Sequence, residues 1–152
     1  MNAMKESPEV LPQLQELFAA QRLAVLATDH GGHPYASLVA FAASADLREI
    51  FFATTRDTRK FANLQANPRV SLLIDNRANQ VKDFSAAVAV TVLGSSTELT
   101  GPSRLAGADF YLAKHPHLAE FVDAPSCALM RVQVQSFFLV SRFQNVVEYH
   151  FS

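Results

Sequence analysis

Hydrophobic and polar positions change period several times along this chain, and each change marks an element. Over VLPQLQELFAAQ (10–21), Val10, Leu14, Leu17 and Phe18 fall on one helical face. That spacing predicts a short amphipathic helix, with Ser7 and Pro8 as its start. LAVLAT (23–28) is a continuous apolar run and predicts a buried strand. Asp29-His30-Gly31-Gly32-His33-Pro34 is turn chemistry, with two glycines free to take positive φ. YASLVAFAA (35–43) then makes a second strand, so the pair reads as a hairpin. After a turn at 44–48, EIFFAT (49–54) makes a third strand.

Asp57 or Thr58 can cap the next helix, which carries Phe61 and Leu64 on one face and ends at Asn67-Pro68. VSLLI (70–74) predicts a buried fourth strand, DNRANQVKDFS (75–85) a polar loop, and residues 86–99 a long strand. Pro102 opens a helix that runs to Lys114, with Leu105, Phe110 and Leu112 inward, and His115-Pro116 stops it. CALMRVQVQSFFLV and RFQNVVEY predict a final strand pair. In the first of these, Met130, Val132, Val134 and Ser136 alternate with a wet face of Arg131, Gln133 and Gln135. Strands that come in hairpins, without regular strand–helix alternation, predict a mainly β fold. The expected architecture is an antiparallel barrel of six to seven strands with short helices.

Composition narrows the function classes. At 152 residues the chain is long enough for one domain with a substantial core, and no Gly/Ser linker divides residues 1–152. A net charge of −1 argues against nucleic-acid binding, which calls for a basic stripe. The N-terminal MNAMKESPEV lacks a signal-peptide apolar region, and no apolar run is long enough to span a bilayer. Cys127 is the only cysteine, which excludes an intramolecular disulfide and fits a cytoplasmic protein. Twelve phenylalanines and no tryptophan predict a Phe-rich interior.

The chemistry concentrates in TTRDTRKFANLQANPRVSLLI (54–74). Arg59 and Lys60 stand side by side in the first turn of the predicted helix. Free N–H groups and the positive end of the helix dipole favour an anion there. A guanidinium and an ammonium at the same place make a phosphate the natural guest, so a phosphate-bearing cofactor is expected. Arg77 and Asn79 sit in the polar loop, a common place for function. Arg142 reads as structural and Cys127 as core. The five histidines lack metal-ligand spacing, and no Ser-His-Asp or Cys-His constellation is visible.

Gly32-His33-Pro34-Tyr35, Ile50 to Thr55, Thr58-Arg59-Lys60 and Asn67-Pro68-Arg69-Val70-Ser71-Leu72-Leu73, in this order and spacing, resemble the pyridoxamine 5′-phosphate oxidase-like family. The resemblance covers residues 12–99 and extends loosely to the C-terminus. It implies an FMN-binding split β-barrel that forms a homodimer, with two cofactor sites at the subunit interface. Arg59 and Lys60 would hold the FMN phosphate, with Thr58, Thr54 and Thr55 lining the same site. The strand from Ser37 through Val39 to Phe41 would run its backbone beside the flavin ring. For Arg77 two readings stand: an Arg of the polar loop that meets the ring's pyrimidine edge from the partner subunit, or a solvated loop residue.

Departures from the family pattern bear on the chemistry. Ser37 and Ala42 stand where the oxidase carries an Arg and a Lys that contact FMN, and Ala89 stands near the place of a Gln. The C-terminal SRFQNVVEYHFS lacks the Arg-x-His that grips the oxidase's substrate. The resemblance therefore implies an FMN-dependent oxidoreductase acting on a small molecule, without pyridoxamine phosphate oxidase activity. Two alternatives stay open. One is a non-catalytic flavin or haem binder, with His33 or His150 as axial ligand. The other is a binder of the deazaflavin F420, whose acidic tail wants a basic groove that a chain at −1 hardly offers.

Overall fold

The computed structural model of the chain describes residues 10–142 and 145–151. Ser7, Pro8 and the start of MNAMKESPEV lie outside the described residues, as do Phe143 and Gln144 within the last predicted strand pair. The elements follow the order α1 (Val10–Ala20), β1 (Leu23–His30), β2 (His33–Ala43), β3 (Glu49–Thr55), α2 (Arg59–Ala66), β4 (Arg69–Asp75), α3 (Asp83–Ala86), β5 (Val88–Glu98), α4 (Gly101–Lys114), a 3₁₀ turn (Pro116–Leu118), α5 (Ala119–Asp123), β6 (Cys127–Ser141) and β7 (Asn145–His150).

The strands hydrogen-bond in the order β3-β2-β1-β4-β5-β6-β7, every pair antiparallel, and β3 also pairs with β6. That last pairing closes six strands into a barrel and leaves β7 as an added strand. The strands pair over unequal lengths. β2 meets β1 from His33 to Ala40 but meets β3 only at Phe41, Ala42 and Ala43. β6 gives one edge first to β3, over 127–133, and then to β7, over 136–141. The barrel is therefore split, and β2 keeps an open edge where β3 has left it.

Inward residues pack one continuous core: Leu26, Phe41, Ile50, Phe52, Leu72, Ile74, Val90, Val92, Val132 and Phe137 are all fully buried. α1 adds Leu14, Leu17 and Phe18, the last edge-on to Phe41 with ring centroids 6.0 Å apart. α2 adds Phe61 and Leu64. Each such side chain contributes about 1.5–3 kcal/mol of burial. Outside β2, β3 and β6 lies a second cluster of Ala42, Phe51, Ala53, Leu99, Tyr111, Val122, Cys127 and Leu129, covered by α4 and α5. No helix among the described residues is long and apolar enough to cross a membrane.

Four sequence expectations need correction. The β1–β2 turn contains only Gly31 (φ 61°) and Gly32 (φ 82°), because two positive-φ residues suffice for a tight hairpin. Asp29, His30, His33 and Pro34 belong to the strands. The polar loop contains a helical turn at Asp83–Ala86, which starts where the Asp83 carboxylate takes the Ala78 and Gln80 N–H groups. In α4, Leu105 and Phe110 face outward and Leu112 is half-buried. Gly107 and Tyr111 take the inward side, since Leu99 Cδ1 would lie 2.7 Å from any Cβ at Gly107. Finally, Ser136 does not share the face of Val134. The β5–β6 register shifts at Leu93/Gly94, Gln135 is the extra residue, and inward positions move from Val134 to Phe137.

The apolar runs LAVLAT and VSLLI are buried on one face only. Their outer residues, with Leu23, Leu38 and Leu93, leave an exposed apolar strip across β2, β1, β4 and β5.

Candidate functional site

The end of β3 and the start of α2 form a single hydrogen-bonded corner. Thr58 is the N-cap, in extended conformation (φ −98°, ψ 155°), and its Oγ1 accepts the Phe61 N–H at 3.1 Å. The same hydroxyl donates to the Thr55 carbonyl at 2.8 Å. Thr54 Oγ1 lies 3.3 Å from the Thr58 hydroxyl and 3.4 Å from the Thr55 carbonyl. Thr54 is buried and braces the cap; Thr55 and Thr58 are half-buried. From outside, the Arg56 guanidinium grips the Glu98 carboxylate with two bonds (2.9 and 2.7 Å), tying the corner to the end of β5.

This cap satisfies Phe61 and leaves the N–H groups of Arg59 and Lys60 without an acceptor among the described residues. The same two residues carry the cations, in different surroundings. Lys60 is half-buried, no acid among the described residues pairs with it, and burial pulls its pKa below the ordinary lysine value. Arg59 is exposed, with its guanidinium 5.7 Å from the ring centroid of Tyr35. A half-buried ammonium without a described counter-ion and unused helix N–H donors are both groups that an anion could satisfy.

β2 runs past this corner. Phe41 N–H turns to Arg22 O on the β1 side, while Ala40 O takes the Tyr111 hydroxyl at 3.0 Å. Alternation along the strand therefore gives the open edge to the backbones of Leu38 and Ala40. The structure corrects the role of Val39: its side chain lies in the barrel core and its backbone pairs with Ala24 of β1. Ser37 shares that inward side, and its hydroxyl is buried with no partner among the described residues.

α4 latches onto β2 and the end of α1 through three residues that sequence reasoning had left as a helix end. Tyr111 holds Ala40 O, and burial pushes its hydroxyl pKa up. His115 is buried, with Nε2 2.7 Å from Phe41 O, and burial lowers its pKa. Lys114 Nζ donates to Phe18 O (2.8 Å) and Gln21 O (2.7 Å) at the end of α1, above the Phe41 ring; burial lowers its pKa to about 8. The signal for this latch was the polar triplet Tyr-x-x-Lys-His on one side of an otherwise small-residue helix.

Arg77 is placed elsewhere. It is exposed, ion-paired to Asp75 at 3.1 Å, and lines a cleft of about 600 Å³ with Leu73, Val81, Val88 and Val140. Arg142, at φ 51°, follows β6. The structure also assembles a constellation that the sequence hid: Ser136 Oγ lies 2.8 Å from His150 Nδ1, and Glu148 lies 3.3 Å from His150 Nε2. The β6 bulge brings Ser136 to this outer face. Both nitrogens of His150 are thus engaged. No three His, Cys, Asp or Glu residues gather for a metal among the described residues.

A family model described as pyridoxamine 5′-phosphate oxidase matches residues 10–141. No curated protein matches the chain. Among solved structures, a heme binding protein from Mycobacterium smegmatis superimposes with a TM-score of 0.83 at 18% identity, over 96% of this chain and 60% of that one. This chain thus spans less than two thirds of that relative. A FAD-binding protein from Mesorhizobium loti gives 0.68 at 21% identity, over 84% and 90%. A Clostridium acetobutylicum protein of the pyridoxinephosphate oxidase family, related to general stress protein 26 of B. subtilis, gives 0.73 at 13% identity, over 95% and 96%.

Proposed function

Since the chain belongs to the pyridoxamine 5′-phosphate oxidase family, we propose that it binds a phosphate-bearing flavin, FMN in the first instance, at the α2 corner. The observation that carries this reading is Lys60, a half-buried ammonium with no described counter-ion beside the free N–H groups of Arg59 and Lys60. Lys60 and these N–H groups would hold the phosphate, with Thr55 and Thr58 shaping the cradle. The open backbone edge at Leu38 would meet the polar rim of the ring. A bound flavin supplies hydride or electron transfer, and the protein supplies placement and charge.

We further propose a homodimer. The strip of Leu23, Leu38 and Leu93 is the face a second copy would cover, and it explains why β1 and β4 read as apolar on both sides. In such a pair Arg77, on the loop beyond β4, would serve the partner's site. The reaction would be an oxidation or reduction of a small molecule in the cytoplasm. Ser37, Ala42 and Ala89, small where the oxidase is charged or polar, separate it from pyridoxamine phosphate oxidation.

The mycobacterial relative raises a haem reading. His33 or His150 would be its axial ligand; His150 already has both ring nitrogens against Ser136 and Glu148, while His33 lies on the exposed end of the hairpin. An absorbance spectrum of the dialysed protein, before and after FMN is added, tests the proposal. Flavin bands that stay with the protein are expected. A Soret band in their place, or no retained colour, would refute it.

A further inference from the structure

Arg59 and Lys60 are adjacent in sequence but serve different spaces. Arg59 lines a groove of about 420 Å³ together with His30, His33, Pro34, Tyr35, Ala62 and Asn63; Lys60 is not part of it. One wall is a face of α2 at positions 59, 62 and 63. The other is the end of the β1–β2 hairpin, where His30 and His33 are cross-strand partners. The groove begins at the first residue of α2, so it leads directly away from the anion corner.

Its lining has the chemistry of a nucleotide half-site. Every side chain in it is neutral or basic. The Asp29 carboxylate, next to His30, is not among the lining groups and takes the Gly32 N–H at 3.3 Å within the hairpin. The Arg59 guanidinium, lying over Tyr35, offers a planar fork suited to a phosphodiester. Tyr35 and the two imidazoles present flat faces on which a purine can stack. Asn63 gives its amide nitrogen to Thr28 Oγ1 at 3.0 Å, and no described group donates to its carbonyl oxygen. The volume falls within the range of small-ligand pockets, roughly 300–1,000 Å³.

A mononucleotide flavin would use the Lys60 corner and leave this groove idle. We propose that the site accepts a flavin dinucleotide: the phosphate next to the flavin at Lys60 and the α2 N–H groups, the second phosphate at Arg59, and the adenosine between the hairpin and α2. This inference rests on the flavin reading of the α2 corner.

Titrations of flavin-free protein with FMN and with FAD, followed by flavin fluorescence, test it. FAD is expected to bind about 10-fold tighter than FMN, the order of effect of one stacked base. His33→Ala with Tyr35→Ala should abolish that margin and leave FMN affinity unchanged; both residues are exposed on the hairpin, away from the barrel core. Lys60→Ala should weaken both ligands alike. Equal affinities, or tighter FMN, would overturn the dinucleotide inference and leave the flavin reading standing. A hairpin variant that weakens FMN and FAD equally would also overturn it. Binding of neither ligand would overturn both.

Discussion

Replacing Lys60 by Met should move stability and ligand affinity in opposite directions. The apolar stem of Lys60 is retained in such a variant, while its charge, half-buried with no described counter-ion, is removed. That charge costs the ligand-free protein something, since burial disfavours the ammonium. The side chain is still half in water, so the cost is far below that of a fully buried ion, and relief of about 1 kcal/mol or less is expected. For a chain of this size 1 kcal/mol corresponds to a rise in Tm of about 2–4 °C. The bound state loses a charge-assisted contact to phosphate, about 1.5–3 kcal/mol, or roughly 10- to 150-fold in Kd. The pH dependence adds a check. Because the folded pKa lies below the ordinary 10.5, the parent should gain stability as the pH rises towards 10.5, and the variant should lack that gain. Thermal melts without ligand, melts across pH, and fluorescence titration with FMN measure all three. A variant that melts lower than the parent, or binds FMN within a factor of two of it, would refute the reasoning.

Burial favours the neutral form of His115 in the fold, so its contribution should be complete above pH 6.5 and fade as the pH falls below that value. Urea midpoints between pH 5 and 8 should show this slope, and His115→Leu should flatten it while costing about 1–3 kcal/mol for the orphaned Phe41 carbonyl. Lys114→Met removes both bonds to the end of α1 and should destabilise by about 1–2 kcal/mol, read by the same denaturation curves. Gly94→Ala would press a methyl group into Gln133 O and to 2.7 Å from Val132 Cγ1. A loss of about 1–3 kcal/mol or more is expected, and a soluble variant with an unshifted melt would contradict the packing at the bulge.

The barrel's strands were legible because their apolar runs and turn residues are local signals. The start of α2 was legible for the same reason: a Thr cap, two cations and an Asn-Pro stop lie within eleven residues. What escaped depended on partners far along the chain. Whether Arg59 and Lys60 share one guest depends on where Tyr35 and the hairpin stand, which only the β1–β2 register decides. Ser136 changed faces because of a single extra residue at Gln135, and no alternation pattern can carry that. Leu105 and Phe110 misled because large apolar residues normally point inward, whereas α4 meets the sheet so closely that Gly107 had to take the contact. The Val39 reading failed for a related reason: strand alternation assigns the free edge to its neighbours.

The pairing that closes the barrel joins Glu49 with Gln133 and Thr55 with Cys127, partners about half the chain apart. Contacts this distant in sequence must overcome a large loop-closure entropy before they gain anything, so they belong to the late part of folding. The corner that follows Thr55 is fixed only when this seam is made, through Arg56 N–H to Ser126 O and the Arg56–Glu98 pair. A ligand at α2 would then find no foothold on the collapsing chain and would add its stabilisation after the barrier. It should lengthen the lifetime of the folded molecule and leave its rate of formation untouched.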